Sequence, residues 1–134
     1  MKNLIICAVL LIVAAAGCRG SDANLKELQR VRAGALDVLL LSARDSLKKG
    51  SDSFVVEFHS ATGGNLVDVG NVQGSANMPM AGMPMMGSVD VQRTSVPGRY
   101  AATAEFSMAG TWRLKLDWDG ADGSGSVTFP GAVQ

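Results

Sequence analysis

Alternating apolar and polar positions dominate the C-terminal third of the chain. Every second residue from Tyr100 to Met108 is apolar or small, and the same alternation returns over 112–118, where two tryptophans and two leucines share one parity. A period of two gives a strand one buried face and one solvent face. The turns at 109–110 and 119–123 separate these two strands and a third that ends near Val133.

Shorter runs of the same kind precede them. Turn residues divide the segment between Gly34 and Pro97 into candidate strands at residues 36–42, 53–59, 66–72 and 88–93. About seven short strands with turns between them predict an all-β fold, an immunoglobulin-like antiparallel β-sandwich. The expected sandwich domain covers residues 34–134.

The first residues have a different character. Lys2 precedes an apolar run from Leu4 to Ala16, and Gly17-Cys18 follows. This order is typical of a secretory signal peptide, and the run is short for a membrane span of ~20 residues. Residues 15–18, Ala-Ala-Gly-Cys, resemble a bacterial lipobox, which implies cleavage before Cys18 and lipid attachment to its sulfur. Ordinary signal cleavage near the same place is the alternative.

Residues 18–33 are expected to be a lipidated tether and a short helix. Asn24, with Glu27 three residues later, fits a capping box, and Leu25, Leu28 and Val31 repeat at helical spacing. The predicted helix covers residues 25–32.

Charge and cysteine content limit the chemistry of the mature domain. Removal of residues 1–17 leaves 117 residues with 11 basic and 12 acidic side chains and no basic run, which argues against nucleic-acid binding. Cys7 leaves with the signal and Cys18 carries the lipid, so neither a disulfide nor a thiolate metal site is expected.

Methionine is concentrated in one segment. Five methionines fall within nine residues: Met78, Met80, Met83, Met85 and Met86. Thioethers are soft ligands that select Cu(I) over hard cations, and Ag(I) is similarly soft. The same side chains also form adaptable apolar surfaces for packing or for docking a partner. Pro79 and Pro84 lack the ladder donor, so the segment is not expected to be a regular central strand.

Two further residues are candidate ligands. His59 is the only histidine; strand parity turns it away from Phe54, Val56 and Phe58, so it is expected to face solvent. It would join the methionines only if its strand end lay beside them. Met108 has inward parity, so core packing is expected, with a ligand role if the following turn borders the methionine segment.

Catalytic patterns are absent from the sequence. There is no G-x-S-x-G context for a serine nucleophile and no phosphate-binding G-x-x-x-x-G-K-[ST] motif. Glu57 and Glu105 lie at outward positions and are expected to be solvated. A binding protein is therefore favoured over an enzyme.

Three blocks together resemble the YtkA-like/FixH-type domain. They are residues 77–85 (Asn-Met-Pro-Met-Ala-Gly-Met-Pro-Met), 97–100 (Pro-Gly-Arg-Tyr) and 106–112 (Phe-Ser-Met-Ala-Gly-Thr-Trp). The resemblance covers roughly residues 34–134. It implies a small immunoglobulin-like sandwich outside a bacterial membrane and an association with copper handling, because related domains accompany heavy-metal efflux adaptors and oxidase-assembly systems. FixH proteins carry a membrane helix, whereas a lipid is expected here.

These observations predict an extracytoplasmic, lipid-anchored protein that binds Cu(I) or Ag(I) through the five methionines for storage, delivery or efflux. The alternative is an interaction module that docks through the same loop onto an envelope or efflux complex. Membrane contact is expected through the lipid, with copper-handling or efflux proteins as partners. Arg19 after the cysteine favours a periplasm-facing position on the outer membrane.

Overall fold

The computed structural model describes residues 24–134, and these form an all-β domain of antiparallel strands. The signal peptide predicted over residues 1–17 and the lipidation predicted at Cys18 lie outside the described residues. Eight strands occur, and no helix is found among residues 26–133: β1 Lys26–Ala33, β2 Leu36–Ser42, β3 Gly50–Ser60, β4 Asn71–Met78, β5 Met85–Arg93, β6 Arg99–Phe106, β7 Gly110–Gly120 and β8 Gly123–Val133.

The strands form one sheet with the order β1-β2-β3-β6-β5-β4-β7-β8. The first and last strands of this order also contact each other, so the sheet curls until it is nearly closed. This architecture is compatible with an immunoglobulin-like sandwich, and the all-β antiparallel fold is confirmed. Curling lets one face of every strand enclose the core and leaves the other face to solvent.

The predicted helix over residues 25–32 is wrong, because this segment forms β1 and pairs with β2. The ladder shifts register between Glu27 and Gln29, which marks a β-bulge at Leu28. Because the bulge adds one residue to β1, side chains three positions apart can lie on the same side of the strand. Leu28 and Val31 are such a pair, and both pack against the core. The bulge therefore imitates helical spacing.

The strand expected over residues 66–72 is also displaced. Leu66 makes only an isolated bridge to His59, and the continuous strand β4 begins at Asn71. Gly70 has φ +88°, which strongly favours glycine, and a Cβ there would lie 2.5 Å from the carbonyl oxygen of Asp119. The bend at Gly70 therefore separates residues 66–69 from β4.

The core has aromatic contacts in two places. The Phe58 ring meets Tyr100 and Trp118 edge-on, with centroids 5.4 and 5.1 Å apart. Phe106 and Trp112 make a similar contact at 5.3 Å. Such pairs contribute about 0.5–1.5 kcal/mol each beyond the burial of their area. The inward parity assigned to β6 and β7 from the sequence is confirmed by these buried positions.

The sheet has two ends that matter below. The methionine end comprises the segment 43–49, the loop 79–84, the turn 107–109 and the C-terminal residue 134. The opposite end comprises the turns 34–35 and 121–122 with the connections 61–70 and 94–98. Among the described residues, no helix is long and apolar enough to cross a membrane.

Candidate metal centre

The methionine-rich segment is a β-hairpin. β4 and β5 pair so that Met78 lies opposite Met85 and Asn77 lies opposite Met86. The six residues 79–84 connect the strands and are all exposed. The two prolines bound this loop, where no ladder donor is needed, and Gly82 takes φ +93°. The prolines were expected to exclude a regular central strand, and this holds for the loop. Met78, Met85 and Met86 on either side of the loop belong to β4 and β5, which lie inside the sheet.

Met78 is a core residue. Its side chain is only 8% exposed and belongs to the buried cluster. It packs over Gly110, where an added Cβ would lie 2.5 Å from the Met78 Cε atom. The glycine therefore leaves the space that the methionine side chain occupies, and the Met78 sulfur lies 3.5 Å from the position of that Cβ.

Met85 is half-buried and its sulfur is fixed in position. It packs partly against the core, and the Ser107 hydroxyl lies 2.7 Å from its Sδ atom, with the hydroxyl as donor. Because Ser107 is exposed, this contact holds a thioether at the surface of the hairpin base. Ser107 was not recognised from the sequence; its only signal was its place beside Met108.

Three methionines are open to solvent. Met80 and Met83, both in the loop, are 48% and 79% exposed, and Met86, on β5, is 64% exposed. Met86 is adjacent in sequence to half-buried Met85, so strand alternation turns it to the outer face. The structure thus divides the five methionines into one core residue, one at the hairpin base, two in the loop and one on the outer face.

Met108 lies in a turn rather than in the core. β6 ends at Phe106, so the strand parity that predicted an inward side chain no longer applies, and Met108 is 39% exposed. Its carbonyl oxygen accepts a hydrogen bond from Trp112 Nε1 at 3.0 Å. The turn borders the hairpin, because its neighbours Ser107 and Gly110 contact Met85 and Met78.

His59 is not brought to the methionines. β3 runs so that Gly50 pairs with Phe106 and Glu57 with Arg99, which puts His59 at the opposite end of the sheet. The seven steps of β6 between those partners span about 23 Å. His59 is half-buried, its Nδ1 lies 2.8 Å from the Gly64 carbonyl oxygen, and its buried Nε2 lies 3.6 Å from Glu57 Oε1 without a hydrogen bond.

Carboxylates form ion pairs on the outer face of the sheet. Glu57 was expected to be solvated, but it is 7% exposed and accepts hydrogen bonds from Arg99 Nε and Nη2 at 3.2 and 3.1 Å. A hydrogen bond from Arg32 lowers the pKa of Asp37. No group of three or more His, Cys, Asp or Glu side chains within residues 24–134 could hold a metal ion.

A cleft of about 480 Å³ lies at the opposite end of the sheet. Its lining includes Trp118, Asp68 and two glycines at the start of β8, Gly123 and Gly125. Asp68 is held there by a 3.0 Å contact from Arg93, and hydrogen bonding from the Gly70 amide lowers its pKa. This cleft is remote from the methionines and does not contribute to the candidate metal centre.

One comparison with known proteins identifies the family of this chain. The family model described as YtkA-like matches residues 33–117, which run from the end of β1 into β7 and include the whole methionine hairpin. No curated protein and no solved structure matches the chain. Since the match covers more than half of the 134 residues, the chain belongs to the YtkA-like family.

Proposed function

We propose that this protein is an extracytoplasmic lipoprotein that binds Cu(I), or Ag(I) in its place, through thioethers of the methionine hairpin. The observation that carries the proposal is the concentration of accessible sulfur at one end of a rigid sheet. Met80, Met83 and Met85 lie in or beside one loop, and Met108 lies in the adjoining turn. The protein acts as a carrier or store of the ion rather than as an enzyme.

The residue types favour a soft monovalent ion. Thioethers are neutral and polarizable, so they compete poorly for hard divalent cations and well for Cu(I). Within the described part of the chain, the harder ligands do not cluster. The proposed ligands are Met80, Met83 and Met85, with Met108 as a further sulfur.

The remaining methionines have different roles. Met78 is withdrawn into the core, and its proposed role is to hold the hairpin against Gly110. Met86 faces away on the outer side of β5. The proposed ligands therefore no longer include Met78 and Met86, which were expected from the sequence, and Met86 can serve as a control in binding experiments.

A Cu(I) competition titration in reducing buffer tests the proposal. The triple variant Met80→Leu, Met83→Leu, Met85→Leu removes three sulfurs while keeping apolar volume, so it should lose more than roughly 100-fold in affinity. Met86→Leu should bind as the unmodified protein does. Failure of the unmodified protein to take up Cu(I) or Ag(I) would rule out the metal function.

Ser107 provides a finer test. Its hydroxyl holds the Met85 sulfur, so Ser107→Ala should weaken Cu(I) binding by roughly tenfold, as removal of an orienting contact outside the ligand set does. Equal affinities for Ser107→Ala and the unmodified protein would show that the Ser107 contact does not help to position a ligand.

The exposure of six consecutive uncharged loop residues supports a second candidate, an interaction module without metal. Its partner would be a copper-handling or efflux protein, in line with the FixH-type resemblance. Docking depends on apolar area, so the triple leucine variant should still capture that partner. Retained partner binding combined with absent Cu(I) uptake would favour this second function.

The anchor has its own test. Cys18 is proposed to carry a diacylglyceryl group that holds the domain at a bacterial membrane, facing the periplasm. Mass spectrometry of the mature protein should show that modification on Cys18. A mature chain that begins at another residue without lipid would refute the anchor but leave the metal proposal intact.

A further inference from the structure

The described chain begins at the methionine end. Lys26, the first residue of β1, pairs with Ser42, and its Nζ atom lies 2.7 Å from Asp45. The same segment continues to Leu47, which bridges to Val133 at the end of β8. β1 therefore starts at the methionine end and leads away from it.

Few residues separate this point from the proposed lipid. Seven residues lie between Cys18 and Lys26, so eight Cα–Cα steps span at most about 28 Å. The strands β7 and β8 have 11 residues each and extend about 36 Å from one end of the sheet to the other. A tether of this length is shorter than the sheet, so it lets a lipid on Cys18 sit at the methionine end but cannot extend to the far edge of the opposite end.

The loop at this end suits a lipid interface. Residues 79–84 are Pro-Met-Ala-Gly-Met-Pro; all six are exposed and none is charged. Met83 is the most exposed large apolar side chain described for this protein, at 79%. A contiguous exposed apolar segment marks a surface for a protein or a membrane.

The distribution of charged residues favours a membrane over a protein as the surface that the loop contacts. In the segment 43–49 at the methionine end, Asp45 is paired with Lys26 and Arg44 with Asp52, and Lys48 and Lys49 add two further positive charges. At the opposite end, Asp119 and Asp122 are exposed around the β7–β8 turn. Anionic headgroups attract lysines near the surface and repel carboxylates, so the charge distribution orients the methionine end towards an anionic bilayer.

We propose that the methionine end faces the bilayer that holds the Cys18 lipid, with the loop 79–84 resting in the headgroup region. This orientation rests on the lipid anchor proposed above and not on copper binding. The tether keeps the loop at a high effective concentration near the surface, so a weak contact is enough to orient the domain. The cleft beside Trp118 then points away from the membrane.

Site-specific fluorescence on the full lipidated protein tests the orientation. After signal removal and lipidation no free thiol remains, so Met83→Cys and Asp122→Cys each give one labelling site. Each variant carries an environment-sensitive dye and is reconstituted, with a copper chelator, into phosphatidylethanolamine–phosphatidylglycerol vesicles. Nitroxide lipids should quench the label at position 83 at least about threefold more than the label at position 122. Both proteins are first checked for the lipid by mass spectrometry.

Equal quenching of the two labels in verified lipoprotein would overturn the orientation while leaving the anchor in place. A mature protein without lipid would overturn both. A label at position 83 that stays in water in pure lipid would also overturn the proposal and favour a protein partner for the loop.

Loop variants separate membrane contact from metal binding. For these, the dye is placed at Ala81→Cys, inside the loop. Adding Met80→Asp and Met83→Asp should abolish the quenching, whereas adding Met80→Leu and Met83→Leu should preserve it even though Cu(I) affinity falls. Adding Met86→Asp, at a position whose exposure of 64% lies between those of Met80 and Met83 but on the outer face of β5, is the control and should leave the quenching unchanged. Quenching that survives the two aspartates would show that the loop does not make the contact.

Discussion

The unequal burial of the methionines predicts that structure and metal binding respond to different substitutions. Met78 is 8% exposed and fills the space above Gly110, whereas Met83 is 79% exposed in the loop. Replacing a buried methionine by alanine costs about 2–5 kcal/mol, and a site at the end of a sheet can partly collapse, so we expect about 2–3 kcal/mol for Met78→Ala. Met83→Ala should change the free energy of unfolding by less than about 0.5 kcal/mol.

Urea unfolding followed by tryptophan fluorescence measures both values, because Trp112 packs near this end of the core. The thermal midpoint of Met78→Ala should fall by roughly 10 °C or more. Its Cu(I) affinity, measured below the unfolding transition, should change little, while Met83→Ala should lose affinity. The reverse result, a stable Met78→Ala protein with poor Cu(I) binding, would refute the division of the methionines and make Met78 a ligand.

Three other substitutions test the ion pairs and the turn. Glu57→Ala should lower the free energy of unfolding by about 2–3 kcal/mol because it removes a buried carboxylate that accepts two hydrogen bonds from Arg99, whereas exposed Glu105→Ala should change it by less than about 0.5 kcal/mol in the same urea titration. The pKa of Asp37 is lowered in the folded protein, so its ionised form stabilises the fold at pH values above the unfolded pKa of 3.8, and this contribution is lost as the pH falls further. Asp37→Asn should therefore narrow the gap between the urea midpoints at neutral and acidic pH. An unchanged gap would contradict the assignment. Gly110→Ala should destabilise by about 1–3 kcal/mol because its φ of +147° and the buried methionine both oppose a methyl group; a thermal midpoint equal to that of the unmodified protein would contradict this.

Most of the fold prediction depended on the strict alternation of apolar and polar residues along the strands. β6 and β7 were found because Tyr100, Phe106, Trp112 and Trp118 keep one parity over long strands, and each is buried. β2 was found with the observed bounds, 36–42. In such strands the burial of one face depends only on a period of two, which a sequence displays directly.

The failures have local causes that a sequence hides. A bulge at Leu28 changed the spacing of β1 to that of a helix. The bend at Gly70, which has a positive φ, means that β4 begins later than predicted. β6 ends earlier than predicted, so Met108 does not have the inward orientation expected from strand parity. The bulge and the early end of β6 each shift the count by one or two residues, which is enough to turn a side chain to the other face.

The methionine cluster itself was visible in the sequence, but its division was not. Which sulfurs face inward depends on Met78 pairing with Met85 across a six-residue loop, and that register is set by contacts with other strands. The sequence likewise left open whether His59 lies beside the methionines, since only the pairing of β3 with β6 shows which end of the sheet it occupies.

The open position of the loop thioethers also leaves them unprotected against oxidants. Conversion of a methionine to its sulfoxide replaces a soft, apolar sulfur by a polar group that suits neither a soft metal nor a lipid surface. Exposure ranks Met83 first and Met78 last for this damage. Peroxide would therefore oxidise the loop methionines before the core methionine, and if the loop acts as proposed above, a sulfoxide reductase would be needed to restore it.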